Sequence, residues 1–135
     1  MSSASPKKIL VIEDDEDIVV LLTLLLEQQG HRVLHAGNGR EGLAMLERET
    51  PDLILLDLKM PVMSGREFAR EYHQRKLKAQ PLIVVTAAED PERRAAEVGA
   101  DASVSKPFDP NTLIALVDRQ LGQAAQYASA KRPRL

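Results

Sequence analysis

The chain has no cysteine and no tryptophan, and only two phenylalanines and two tyrosines among its 135 residues. Without cysteine it can form no disulfide, hold no metal through thiolates and use no Cys nucleophile, which suits a reducing compartment. With so few rings its interior must be aliphatic, the kind that α/β sheets carry. A surplus of one charge is also lacking. Eighteen Lys and Arg against 20 Asp and Glu leave a net charge of -2, so electrostatics offers no reason to expect nucleic acid or an anionic membrane as the main partner. Long apolar runs are missing as well. The longest, Ile18 to Leu26, is interrupted by Thr23 and falls short of the ~20 residues a membrane helix needs. Ile9 to Ile12 is too short for a signal-peptide core and is stopped by Glu13. The cytoplasm is therefore the expected location.

What is present is one domain's length of alternating elements. Leu53-Ile54-Leu55-Leu56 is an uninterrupted aliphatic run closed by Asp57 and a turn, the pattern of a strand buried on both faces of a parallel sheet. Lys8 to Ile12 and Leu82 to Val85 read the same way. Arg32 to Ala36, mixed and bearing His35, reads as an edge strand, and Ala102 to Ser105 as a weak fifth one. Between them Ile18, Leu21, Leu22, Leu25 and Leu26 mark one face of a helix ended by Gly30. Asn38 with Glu41 and Ser64 with Glu67 resemble capping boxes. The first opens a helix to about Arg48 with Leu43 and Leu46 inward, the second a helix burying Phe68, Ala69 and Tyr72. Asp90-Pro91 and Asp109-Pro110 read as N-caps followed by proline, the last helix carrying Leu113, Ile114, Val117 and Leu121. Residues 1–7 form a disordered arm, 8–122 the domain, and 123–135 a loose basic tail or linker. Strand and helix alternating five times mean a parallel sheet between two helical layers, joined by right-handed crossovers.

In such a sheet the strands' carboxyl ends share one edge, where ligands bind. Glu13 and Asp14 follow the first run, Asp57 the third, Thr86 the fourth and Lys106 the fifth. Carboxylates gathered at one edge repel one another and need a counter-charge. A hard cation supplies it, and Mg²⁺ with its preference for a few carboxylates plus phosphate fits an all-oxygen set, whereas no His or Cys cluster favours zinc. Asp57 could then accept phosphorus as an acyl phosphate, with Lys106 and Thr86 stabilising the transferred group. His31, His35 and His73 share no ligand spacing and read as surface residues. Met60 and Met63 read as packing.

Four stretches carry a family resemblance: ILVIEDDEDI (Ile9 to Ile18), LILLDLKMPVMSG (Leu53 to Gly65), IVVTA (Ile83 to Ala87) and SKPF (Ser105 to Phe108). From about Lys8 to Leu121 the chain resembles the receiver domain of two-component response regulators. The resemblance implies a flavodoxin-like (βα)5 three-layer sandwich with strand order 2-1-3-4-5. It implies Asp57 as phosphoacceptor from a histidine kinase or phosphotransfer protein, and Glu13 and Asp14 as the acid pair around Mg²⁺. The main-chain carbonyl of Lys59 would be a further metal ligand, Thr86 and Lys106 would sense the phosphoryl group, and Lys106-Pro107 would be a cis bond. The chain would act as a switch for a downstream protein target, with no chemistry beyond its own phosphorylation and dephosphorylation. Ala88 and Lys59, two residues beyond Thr86 and Asp57, would influence how long the phosphoryl group lasts. One departure stands out: the family's aromatic residue three positions before the lysine is Ser103 here, so a ring cannot relay the signal. A docking module that is never phosphorylated is the alternative. With no recognisable output region after Leu121, the chain is either a stand-alone receiver or a piece of a longer regulator.

Overall fold

The computed structural model describes residues 6–75 and 80–131, with side chains as far as Gly122. Five strands, β1 (Lys8–Ile12), β2 (Arg32–Ala36), β3 (Leu53–Leu56), β4 (Leu82–Thr86) and β5 (Ala102–Ser105), form one parallel sheet in the order β2-β1-β3-β4-β5. The helices between and after them are α1 (Glu16–Gln28), α2 (Gly39–Leu46), α3 (Gly65–Gln74), α4 (Pro91–Glu97) and α5 (Pro110–Lys131). This is the flavodoxin-like sandwich, with β2 at an edge.

The aliphatic runs are explained by the two layers they serve. Along β1, Leu10 and Ile12 face the layer of α2, α3 and α4, while Ile9 and Val11 face that of α1 and α5. In β3, Ile54 and Leu56 join the first cluster and Leu53 and Leu55 the second. Both sides of each central strand are dry, so no position is left for a polar residue until the strand ends. Phe68 and Tyr72 of α3 stack at 5.8 Å inside the first layer, and Leu113 and Val117 of α5 seal the second.

Local punctuation mostly follows the expected chemistry. Ser64 and Glu67 form a complete capping box, and Asp109 accepts from the amide of Thr112 at 3.0 Å. The Asn38 site is only half a box: Asn38 accepts from the Glu41 amide, but the Glu41 carboxylate reaches Gly37 instead. Asp90 departs further. It takes a left-handed conformation (φ 54°) instead of the extended one that a capping residue uses, and its side chain caps nothing. Leu21 points outward, 38% exposed, since the buried stripe of α1 narrows to Leu22 and Leu26. The loose tail expected over 123–135 is not what the backbone shows: helix α5 continues to Lys131, and 132–135 lie outside the described residues, as does 1–5 of the expected arm.

His31 is not a surface residue. It is 5% exposed, accepts the Lys7 amide on Nδ1 at 3.2 Å, and so carries its proton on Nε2, a buried atom without a hydrogen-bond partner among the described residues. Burial lowers its pKa from 6.5, opposed by the Asp118 carboxylate, reinforced by Lys7 and opposed by Asp52. The folded chain thus disfavours a proton that the unfolded chain takes up, and the stability His31 contributes above 6.5 is lost as pH falls. Between about pH 7.5 and about pH 5.5, the wild type should lose urea midpoint relative to His31→Gln, which keeps an acceptor but does not titrate. Parallel curves would refute this.

Candidate functional site

Sheet register builds the site. Ile12 and Leu56 are partners across β1 and β3, so the residues after them, Glu13 and Asp57, emerge side by side from the dry core. The Asp57 amide donates to Ile12 O at 2.9 Å and the Glu13 amide to Ala36 O at 3.0 Å, fixing both backbones. On the other side Thr86 pairs with Ser105, and the Lys106 amide donates to Thr86 O at 2.9 Å. The peptide bond Lys106-Pro107 is cis, as expected. These strand ends open into one cavity of about 450 Å³, whose lining includes Glu13, Asp14, Asp57, Lys59, Thr86 and Lys106. All six residues named from the sequence are therefore brought together. Ala88 lines it too, and its amide donates to Thr86 Oγ1 at 3.1 Å.

The electrostatics are those of a crowded acid site. Lys106 Nζ lies 2.8 Å from Glu13 Oε1 and 3.6 Å from Asp57 Oδ1. Desolvation pushes Glu13 up to about 7, against the Lys106 ammonium and the Asp15 amide that favour its charged form, with Asp57 adding to the rise. Desolvation also raises Asp57, against the Lys106 ammonium and the Lys59 amide. Burial would lower Lys106, but Glu13 and Asp57 outweigh it and its pKa is raised. One ammonium serves two buried carboxylates, with Asp14 close by; the site is short of positive charge.

A hard cation fits this deficit. Oxygens of Glu13, Asp14 and Asp57 lie within 4.8 Å of one another. Glu13 Oε1 is buried and meets the Lys106 ammonium at 2.8 Å, while Oε2 accepts from the Asp15 amide at 3.1 Å, so each oxygen keeps a lone pair to offer. All donors are oxygen, the set that Mg²⁺ prefers. Lys59 turns its amide to Asp57 Oδ1 at 3.4 Å. Asp15 has another task, accepting from the Asp17 and Ile18 amides to cap α1.

Three residues at the site were not foreseen. His35 Nε2 donates to Glu13 O at 2.9 Å, so β2 holds both the amide and the carbonyl of Glu13. Arg66 and Arg94, from α3 and α4, line the cavity's outer part. Neither has a local signal, since each reaches the site only through the packing of its helix.

A sheet with this order, bearing acids, a hydroxyl and a lysine on one rim, defines a flavodoxin-like α/β module with an acidic cleft at the carboxyl ends of its strands. The chain belongs to the response regulator receiver domain family, whose description matches residues 9–118. It is 41% identical over 113 residues to the alkaline phosphatase synthesis transcriptional regulatory protein PhoP of Bacillus subtilis, covering 82% of this chain and 47% of that protein. To the transcriptional regulatory protein ResD of the same organism it is 36% identical, covering 98% and 56%. The chain thus spans about half the length of these regulators. Among solved structures, a CheY-like receiver domain protein from Methanospirillum hungatei superposes with a TM-score of 0.83 at 32% identity, covering 91% of this chain and 99% of that one. The receiver domain of sensor histidine kinase PA1611 from Pseudomonas aeruginosa, which has a magnesium ion coordinated in its active site cleft, gives 0.77 at 27% identity, covering 87% and 99%. Receiver domains of response regulators belong to two-component signalling. Among the described residues no helix is long and apolar enough to cross a membrane.

Proposed function

We propose that Asp57 accepts a phosphoryl group from a phosphohistidine of a kinase or phosphotransfer protein, and that the modified chain changes its contacts with a downstream protein. The observation that carries this reading is the convergence of Glu13, Asp57 and Lys106 within hydrogen-bonding or ion-pair range at the mouth of one cavity. A carboxylate oxygen of Asp57 forms a bond to phosphorus as the phosphorus–nitrogen bond breaks, and the leaving imidazole keeps the electron pair and takes up a proton. Lys106, held at the rim by Glu13, offers its ammonium to the phosphoryl oxygens as a point charge. The buried Thr86 hydroxyl, accepting from Ala88, can turn its own proton toward one of them. Glu13, Asp14, Asp57 and the main chain of Lys59 would hold Mg²⁺, which when bound supplies positive charge against the carboxylates and the transferred oxygens. Hydrolysis of the acyl phosphate resets the chain, so its chemistry is confined to its own side chain and there is no turnover substrate.

Beryllofluoride, a phosphoryl mimic, tests the reading. Added with millimolar Mg²⁺, it should shift the amide signals of Asp57, Thr86, Ala88 and Lys106. An unchanged spectrum would overturn the proposal and favour a docking module that is never phosphorylated.

A further inference from the structure

We propose that Arg66, Arg94 and Glu97 form a latch between α3 and α4, which a phosphoryl group on Asp57 opens by drawing the two guanidinium groups away from the carboxylate. This deepens the function proposed above and rests on it. Glu97 Oε1 meets Arg66 Nη2 at 3.1 Å, and Arg94 Nη1 spans both Glu97 oxygens at 3.1 and 3.2 Å. Arg66 and Arg94 also line the cavity that holds Asp57. One carboxylate on the outside therefore keeps two guanidinium groups that face an acid site.

Phosphorylation changes that balance. The Asp57 carboxylate becomes an acyl phosphate with greater negative charge and oxygens further out from the sheet. Lys106, on the inner side, is already shared between Glu13 and Asp57. The outer guanidinium groups are the remaining cavity cations with planar, forked donors, and such forks bind phosphate more strongly than an exposed ion pair binds its partner. Glu97 is then left with Arg93, whose Nε lies 3.8 Å from its Oε2 within α4 itself.

Helix α4 is built to respond. It has seven residues, lies between two left-handed residues, Asp90 (φ 54°) and Gly99 (φ 69°), and lacks a side-chain cap at its start. Its buried surface is Ala95 alone, with Val98 just beyond. Its carboxyl end stays tied to α3 through His73 Nε2, 3.0 Å from Val98 O, so the end nearer the acid site is the freer one once the Arg66 pair is gone. This route needs no aromatic ring, and β5 has Ser103 where one would be required for the alternative.

Amide spectra of the isotope-labelled full chain with Mg²⁺ and acetyl phosphate, alongside intact mass, test the latch. In the wild type the mass should show phosphoryl uptake and the signals from Ala95 to Val98 should move. Glu97→Gln should move them in the same direction before any donor is added, with a smaller further change afterwards. The double variant Arg66→Gln/Arg94→Gln should lose most of the donor-induced α4 movement in its phosphorylated fraction, and Arg94→Lys, which keeps charge without the fork, only part of it. A phosphorylated double variant whose α4 signals move as in the wild type overturns the latch alone. A wild type that takes up no phosphoryl group overturns the proposed function, and the latch with it.

Discussion

Replacing Asp57 with asparagine is expected to reduce phosphoryl uptake from acetyl phosphate to background while leaving the chain folded. The two halves of this outcome have separate causes. Asparagine has no anionic oxygen to attack phosphorus, so the acyl phosphate cannot form. Folding should survive because Asp57 is the more dispensable of two carboxylates sharing one ammonium. Lys106 stays paired with Glu13 at 2.8 Å, and the amide oxygen can still accept from the Lys59 N–H. Removing a buried charge that is disfavoured in place should leave stability equal or higher, by on the order of 1 kcal/mol. Intact mass after incubation with donor and Mg²⁺ reads the first half, and a urea melt the second. Uptake at the wild-type rate would move the acceptor to Glu13 or Asp14; a collapsed melt would show that Asp57 holds the loop together structurally.

Gly65→Ala should cost about 3 kcal/mol, the upper end of what overpacking produces. A Cβ there would strike the carbonyl oxygen of Asp57 and come within 2.7 Å of the Leu58 Cα. Both obstacles are main chain, so no side-chain rotation relieves them. Gly65 also donates its amide to Leu58 O at 3.0 Å, and the Ser64–Glu67 box pins the same end of α3. The helix start and the loop after Asp57 are thus pressed together, and one of them must yield. Helix propensity points the other way, favouring alanine over glycine by roughly 1 kcal/mol, so the sign of the result decides between local preference and close approach. If the loop yields, Asp57 shifts relative to Glu13, and the beryllofluoride concentration needed for half of the amide response should rise roughly tenfold. Unchanged stability with unchanged response would mean that the two backbones are not in the contact described.

The charge pattern separates the inner and outer parts of the cavity. Inside, Lys106 answers two buried carboxylates; outside, Arg66 and Arg94 are kept by a third that is partly exposed. Adding a phosphoryl group between them gives each side a reason to rearrange, and α4 is a short helix with one buried residue of its own.

Much of this was legible in the amino-acid order because it depends on short-range chemistry. A run such as Leu53 to Leu56 must be buried on both faces, Ser64 and Glu67 must satisfy amides at a helix start, and residues following buried strands must share one sheet edge. Those rules led to the five strands, the edge position of β2 and the gathering of Glu13, Asp14, Asp57, Thr86 and Lys106, to which the family resemblance added Lys59. Tertiary structure alone decided the rest. His31 looks like any polar residue after a helix until the fold buries it with its Nδ1 against the Lys7 amide. Asp90 carries the letters of an N-cap but not the conformation. Arg94 and Glu97 read as an ordinary helix pair three residues apart, and nothing nearby in sequence shows that Arg66 joins them from another helix at the edge of the acid site. Periodicity and turn chemistry act over a few residues, whereas the meeting of side chains from different elements depends on how the helices are laid on the sheet.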